Sequence, residues 1–520
     1  MNLTVDLNSL SVYGLLKRAA LGNGNKEALF DLSSRVSYEK FKYDIDQVAA
    51  VLSCKGIQKG DRVALSLPNW YETATIFFAT AKIGAILVPF NPNYKSHELN
   101  HILTNSEPKA IFISDKLIQN IGIKEIQTMV NLVITVRTKS EQCDSYEDWM
   151  ALDVPQIVET DIEVANDLYC ILYTSGTTGV PKGVMVTHQS VVQSANTLAS
   201  SLQCSEKDVF IIAAPLFHIF GMACNLFCSV SSGARMVLME KYEPRKMLQV
   251  IEQEKVTIQQ GVPTMFLKEL ELDDFDNYDL STLRAGMVGA SPIPPHKVKE
   301  IRDRFGMNLC QSFGITETAT VTMTPYHDSE DKITQTLGLP IPGVELKIVD
   351  ENRVEVEPGQ TGEIAIKSFG NMKGYYKMPE ETSKVLADGW YYTGDLGTLD
   401  NEGYLYFIGR KKEMIIRGGF NVYPQEIEEV LKKHETISEV AVVGLPDEVL
   451  GEIVCAVIKL KEGKTSNEEE ILQFLKGQIA NYKLPQKVVF ATDFPVTASG
   501  KIQKMKLREQ IVEQLRVFPK

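Results

Sequence analysis

Short apolar runs rich in β-branched residues recur along this chain, and between them lie stretches whose apolar side chains have helical spacing. Arg62 to Leu67, Ala85 to Phe90, Ala110 to Ser114, Leu132 to Val136, Leu168 to Tyr173, Phe210 to Ala214 and Arg235 to Met239 read as strands. Tyr71 to Ile83 and His188 to Leu202 read as helices. Strands and helices alternating at this spacing predict parallel sheets covered by helices, an α/β fold. At 520 residues the chain exceeds the size at which one hydrophobic core stops growing, so more than one domain is expected.

From about Val344 the pattern changes to short strands with glycine-rich turns, at Glu363 to Lys367, Trp390 to Tyr392 and Tyr404 to Ile408. That change indicates a β-rich subdomain. After Gly409 follow a helix (Pro424 to Lys433), two strands (Glu439 to Val443 and Ile453 to Leu460) and another helix (Glu468 to Ile479), the content of a small α+β domain. The charged segment GRKKEMIIRGG between them reads as a linker. The expected organisation is therefore residues 1–409, a large N-terminal domain of two α/β subdomains plus the β-rich one, and residues 410–520, a small C-terminal α+β domain.

Composition excludes some functions. Hydrophobic residues make up 44% and charged residues 23%, which is ordinary for a folded chain. A net charge of -13 provides no general field for nucleic acid, so no nucleic-acid partner is expected. The eight cysteines are scattered and form no Cys-x-x-Cys pair, which fits thiols in a reducing, cytoplasmic location. The first residues lack the pattern of a secretion signal. Val209 to Val230 is apolar enough to raise a membrane span, but Pro215, His218, Gly221 and Asn225 interrupt it, and a buried strand, turn and helix are expected instead.

One segment carries specific chemistry. Tyr173 to Gly183 reads YTSGTTGVPKG, hydroxyls and glycines placed after a predicted strand and before a predicted helix. Glycines let backbone N–H groups approach phosphate oxygens, hydroxyls donate further bonds, and lysine adds a compact positive charge. It is not a Walker A loop, since Lys182 is followed by Gly183 rather than Ser or Thr.

This segment resembles the signature of the superfamily of acyl-CoA synthetases, nonribosomal adenylation domains and luciferases, the adenylate-forming ANL enzymes. Gln311 to Glu317 (QSFGITE), Tyr392 to Asp395 (YTGD), Gly409 to Lys412 (GRKK) and Pro495 to Lys501 (PVTASGK) extend the likeness in the same order over nearly the whole chain. The resemblance implies that Thr174, Ser175, Gly176, Thr177, Thr178 and Lys182 bind the phosphates of ATP. It implies an adenine slot of Gly289, Ala290, Ser291, Gln311, Phe313 and Gly314, with the Phe313 ring stacking where the family more often has Tyr, and Gln311 as partner of the adenine amine. Asp395 is implied to accept both ribose hydroxyls, with Arg410 adding a ribose or phosphate contact. Thr316 and Glu317 stand by the α-phosphate in that family, Glu317 as a ligand of Mg2+.

By the same resemblance, Lys501 is the lysine that reaches the carboxylate and the bridging oxygen as negative charge develops during adenylation. Lys412 falls at the family's hinge. Rotation of a mobile C-terminal domain there would exchange Lys501 for Gly418, Gly419 and Phe420, whose small residues suit a pantetheine arm. The implied reactants are a carboxylic acid, ATP with Mg2+, and coenzyme A.

The acid is less constrained. Amino-acid-adenylating relatives carry an aspartate after the Phe of PLFHIFG, where this chain has His218, so a substrate ammonium would be left unpaired. An acid with an uncharged, apolar tail is expected, with His218 beside the carboxylate or gating the pocket. Phe220, Met222, Val288 and Ile315 are the implied pocket wall, with Gly289 and Ala290 beside them. Delivery to a separate acyl carrier protein instead of CoA stays open. A non-catalytic protein on this fold would be expected to have lost Lys182, Glu317, Asp395 or Lys501, and all four are present.

Overall fold

A computed structural model describes residues 9–174, 181–418, 420–447, 449–496 and 502–517. The chain divides into two compact units, Met1–Glu345 with Ile366–Tyr391, and Leu346–Ala365 with Tyr392–Lys520. The division runs through the strands Val344–Val349, Gly362–Ser368 and Trp390–Leu399, and the expected boundary at Arg410 lies inside the second unit.

The first unit is the predicted α/β body. Each apolar run read as a strand is one, and the helices Tyr71–Lys82 and His188–Ser201 stand where the periodicity puts them. A seven-stranded sheet pairs its neighbours in parallel except at one edge, where Leu168–Thr174 meets Lys182–Thr187 antiparallel. A nine-stranded sheet has Arg235–Leu238, Val209–Ile212, Ile258–Gly261, Ala285–Val288 and Asn308–Ile315 as adjacent parallel strands. The largest core joins Leu65 and Leu172 of one sheet, Phe210 and Met236 of the other, and Phe41, Phe77 and Val191 of the helices packed with them. Each such side chain contributes about 1.5–3 kcal/mol on burial. Helix Tyr71–Lys82 is buried on nearly every face, which is why its sequence is apolar almost all round.

One detail differs from the sequence reading. The phosphate-loop segment does not run directly into a helix: Lys182–Thr187 forms a strand first, and the helix begins only at His188. The alternation in KGVMVT and its β-branched residues account for the strand. The apolar stretch Val209 to Val230 is broken as expected, into a strand Val209–Ile212, a π-helical segment Phe220–Phe227 and a short helix Cys228–Ser232. No helix among the described residues is long and apolar enough to cross a membrane.

In the second unit, Ile437–Asp447 and Gly451–Leu460 form a long antiparallel pair, and the strands Ile415–Arg417 and Lys487–Phe490 both pair with Gly451–Leu460. Helices Pro424–Leu431 and Glu468–Leu475 add Ile427, Leu431, Ile471 and Leu475 to its core. This is the α+β content read from the sequence.

Glu269 lies fully buried on helix Pro263–Leu270, its Oε2 accepting from Gln259 Nε2 at 2.8 Å. Glu269 Oε1 and Gln259 Oε1 are both buried acceptors without a hydrogen bond, the neighbouring Tyr242 hydroxyl donating to Met265 O instead. A proton on Glu269 turns one of these acceptors into a donor, and burial raises its pKa from 4.5 to about 8. The folded chain then holds a proton that the unfolded chain releases near pH 4.5. This stability is complete below pH 4.5 and is lost as pH rises toward 8, by up to about 1.4 kcal/mol per unit. Glu269→Gln removes that part of the slope. Urea unfolding across this range checks it: the difference between wild type and variant changes with pH if Glu269 is protonated in the fold, and stays constant if it is not.

Candidate active site

The hairpin of Leu168–Thr174 and Lys182–Thr187 places Thr174 opposite Lys182 and Tyr173 opposite Gly183. A Cβ on Gly183 would lie 2.8 Å from Ile171 Cγ2 and 3.2 Å from the Tyr173 ring, so glycine is required for the strands to close. Tyr173 donates to Asn105 Oδ1 at 2.5 Å, and the His101 ring meets it edge-on while His101 Nε2 lies 2.9 Å from the Pro181 carbonyl. Helix Ser96–Ser106 thus holds both ends of the loop. Ser175, Gly176, Thr177 and Thr178 lie outside the described residues.

Lys182 begins its strand with only 13% of its side chain exposed. Its ammonium is 2.5 Å from Glu381 Oε2 and 4.9 Å from the centre of the Tyr375 ring. Tyr375 donates to Glu317 Oε1 at 3.1 Å and lies 3.5 Å from the Tyr391 hydroxyl. Burial and the Glu317 charge raise the Tyr375 pKa, so it keeps its proton and remains a donor. The backbone fixes this arrangement: Lys373 N donates to Met185 O, Met185 N to Gly374 O, Tyr376 N to Gly183 O and Met372 N to Glu317 O, all at 2.7–3.0 Å. Tyr375 N also donates to Thr382 Oγ1 at 2.8 Å, tying helix Pro379–Val385 to the same point. Neither Tyr375 nor Glu381 was singled out by sequence motif; the spacing of GYYKMPEET from the loop gives no sign that it packs there.

Thr316 and Glu317 form the corner between the strands Asn308–Ile315 and Ala319–Met323. Gly314 is required at that bend, since a Cβ would fall 2.3 Å from Ala319 O. Phe313 is buried, at 8% exposure. Gly289 brings its backbone close to Phe220: a Cβ there would be 3.7 Å from the Phe220 ring and 3.0 Å from Ser312 O. Ala290, which follows, takes a left-handed conformation at φ 65°, and Ser291 is exposed. His218 accepts from Phe220 N at Nδ1, 3.4 Å away, which puts its ring proton on Nε2.

Two expected site residues turn elsewhere. Gln311 Nε2 donates to the carbonyls of Ile333, Thr334 and Thr336 at 2.8, 3.0 and 3.1 Å, closing the end of helix Glu330–Gln335. Its Nε2 is committed to that helix end, whereas an adenine amine, itself a donor, would need Gln311 Oε1. Val288 is the strand neighbour of Gly289 and so faces the other side of the sheet. It packs with Phe266 and Leu309, whereas Phe220, Met222 and Ile315 belong to a different core. Val288 stands beside Gln311 in the parallel register, which accounts for both departures together.

The second unit holds the residues read as the ribose site. Asp395 and Arg410 are opposite each other on the strands Trp390–Leu399 and Leu405–Arg410, with Asp395 Oδ1 3.2 Å from Arg410 Nε. The Asp395 side chain is 6% exposed, that of Arg410 38%. Thr393 Oγ1 accepts from Asp395 N at 3.0 Å, and Gly394, at φ 71°, donates its N–H to Glu363. Lys412 is exposed. Gly418 is left-handed and donates to Leu450 O at 2.8 Å, and Phe420, 58% exposed, stacks on Tyr482 with ring centres 5.0 Å apart. Gly419 and Lys501 lie outside the described residues. No group of three or more His, Cys, Asp or Glu among the described residues could hold a metal ion.

The model of the AMP-binding enzyme family matches residues 16–376, and that of the AMP-binding enzyme C-terminal domain matches residues 426–501. The chain is 39% identical over 534 residues to the YngI protein of Bacillus subtilis (strain 168), covering 97% of both chains. It is 32% identical to a long-chain-fatty-acid–CoA ligase of the same organism, covering 98% of this chain and 96% of the relative. Among solved structures, ATP-bound MatB from Rhodopseudomonas palustris superposes with a TM-score of 0.88 at 31% identity, covering 97% of this chain and 100% of that one.

Removing the Gln311 side chain leaves three helix-end carbonyls without their donor. Gln311→Ala is expected to cost about 1–3 kcal/mol in urea unfolding while changing the apparent ATP affinity less than about threefold. A large loss of ATP affinity without loss of stability would return Gln311 to the adenine slot.

Proposed function

Because the chain belongs to the AMP-binding enzymes, as an AMP-forming acyl-CoA ligase, we propose that its acid is a fatty or other apolar one, activated as the adenylate and passed to CoA by rotation of residues 410–520 about Lys412. The observation that carries the choice of acid is the segment after His218. Phe220 to Phe227 is buried throughout, its side chains are mostly apolar, and no carboxylate stands there to pair an ammonium. Phe220, Met222 and Ile315 share one core beside Gly289 and form the pocket wall in this reading.

In the first half-reaction a carboxylate oxygen attacks the α-phosphorus and the P–O bond to pyrophosphate breaks. Lys182 places a positive charge on the phosphates, Asp395 accepts from the ribose hydroxyls, and His218 offers its Nε2 proton to the carboxylate. Lys501 stabilises the oxygen charge that builds up. In the second, the thiol sulfur attacks the acyl carbon and AMP leaves with the oxygen the acid contributed. Glu317 suits Mg2+, which is bound by one or two carboxylates together with substrate phosphates rather than by a protein cage. The ion would supply charge neutralisation at the phosphates. The long-chain-fatty-acid–CoA ligase among the relatives supports the same acid class.

ATP–pyrophosphate exchange against fatty, aryl and amino acids tests the acid, with fatty acids expected to be turned over best. Preference for an amino acid would contradict the reading, and exchange that never yields acyl-CoA would move the acceptor to a carrier protein. Lys501→Ala is expected to lower exchange by about a hundredfold or more while thioester formation from supplied acyl-adenylate persists. Equal loss of both activities would remove the alternation.

A further inference from the structure

Lys182 is already engaged by a carboxylate. Glu381 is held through Oε2 by Lys182 at 2.5 Å and through Oε1 by Lys384, one turn along its own helix. Both ammonium groups lower its pKa, to about 2, so it is ionised at any working pH. A nucleotide triphosphate seated on Lys182 would bring several negative charges against that carboxylate, at the range where like charges repel strongly. The Glu381 side chain is 27% exposed and starts from the short helix Pro379–Val385, so it can turn outward and remain paired with Lys384. Tyr375 cannot follow it. Its N–H is bound to Thr382, the next residue's N–H is bound to Gly183, and its hydroxyl is on Glu317. The Tyr375 ring therefore stays under the lysine ammonium when the carboxylate departs.

We propose that Glu381 is an exchangeable counter-ion of Lys182, displaced by the nucleotide phosphates, and that Tyr375 is the positioning residue that keeps Lys182 and Glu317 aligned during the exchange. The proposal rests on the ATP-binding role of Lys182 given above. It assigns a function to a segment, Met372 to Val385, that no motif marked. It also explains why a lysine with so little exposure can wait beside the loop without an unpaired charge.

The exchange makes Glu381 a competitor of ATP, so its removal tightens nucleotide binding, whereas a merely structural partner would leave it unchanged or weaken it. ATP–Mg2+ binding to the full chain, measured by calorimetry for wild type, Glu381→Gln, Lys182→Ala and the double variant, separates these. Glu381→Gln is expected to lower the Kd about two- to fivefold, the range of a partly exposed ion pair, and to have no such effect in the Lys182→Ala background. With wild-type binding intact, a Glu381→Gln variant that binds ATP equally or more weakly, or that gains affinity without Lys182, overturns the proposal. Wild type that fails to bind ATP overturns the function on which it rests. Tyr375→Phe, which keeps the ring and loses the bond to Glu317, is expected to lower kcat for adenylation with little change in ATP Kd; an unchanged kcat would overturn the positioning role.

Discussion

The site depends on keeping one lysine charged at the edge of a buried sheet. Lys182 is held there by the antiparallel pairing of Leu168–Thr174 with Lys182–Thr187, a pairing that needs glycine at 183, and by the segment Lys373 to Tyr376 bonded along the same strand. Desolvating an ammonium is costly unless charge or a π face compensates. Here Glu381 and the Tyr375 ring do so. The hydroxyl of that tyrosine then reaches Glu317, so one side chain links the two residues proposed to hold the phosphates and Mg2+.

Much of this was legible in the sequence because it is local. Period-two and 3.6-residue patterns located strands such as Ala110–Ile113 and helices such as His188–Ser201 to within a residue or two, because burial on one side writes itself into residue order. The small α+β unit was legible for the same reason. Asp395 was read from a short motif, and its pairing with Arg410 follows from adjacent strands.

What was not legible arises from contacts distant in sequence or from the direction of a single side chain. Nothing in MKGYYKMPEET announces that it lies along a strand nearly two hundred residues earlier. Gln311 sits within a recognisable motif, yet its amide closes a helix end that the motif does not contain. Val288 and Gly289 were read together as pocket residues, but consecutive strand residues face opposite sides, and only Gly289 meets Phe220. The strand at Lys182 is hidden in the sequence because the glycine and proline beside it read as loop.

When the acid's own oxygen attacks the α-phosphorus, that oxygen becomes part of the acyl-adenylate phosphate and leaves with AMP once the thiol has taken the acyl group. Turning over a fatty acid labelled with 18O in its carboxylate, with ATP, Mg2+ and CoA, and weighing the phosphate products tests it most directly. One labelled oxygen is expected in AMP and none in pyrophosphate. Label in orthophosphate or pyrophosphate, or thioester formed without labelled AMP, would contradict it.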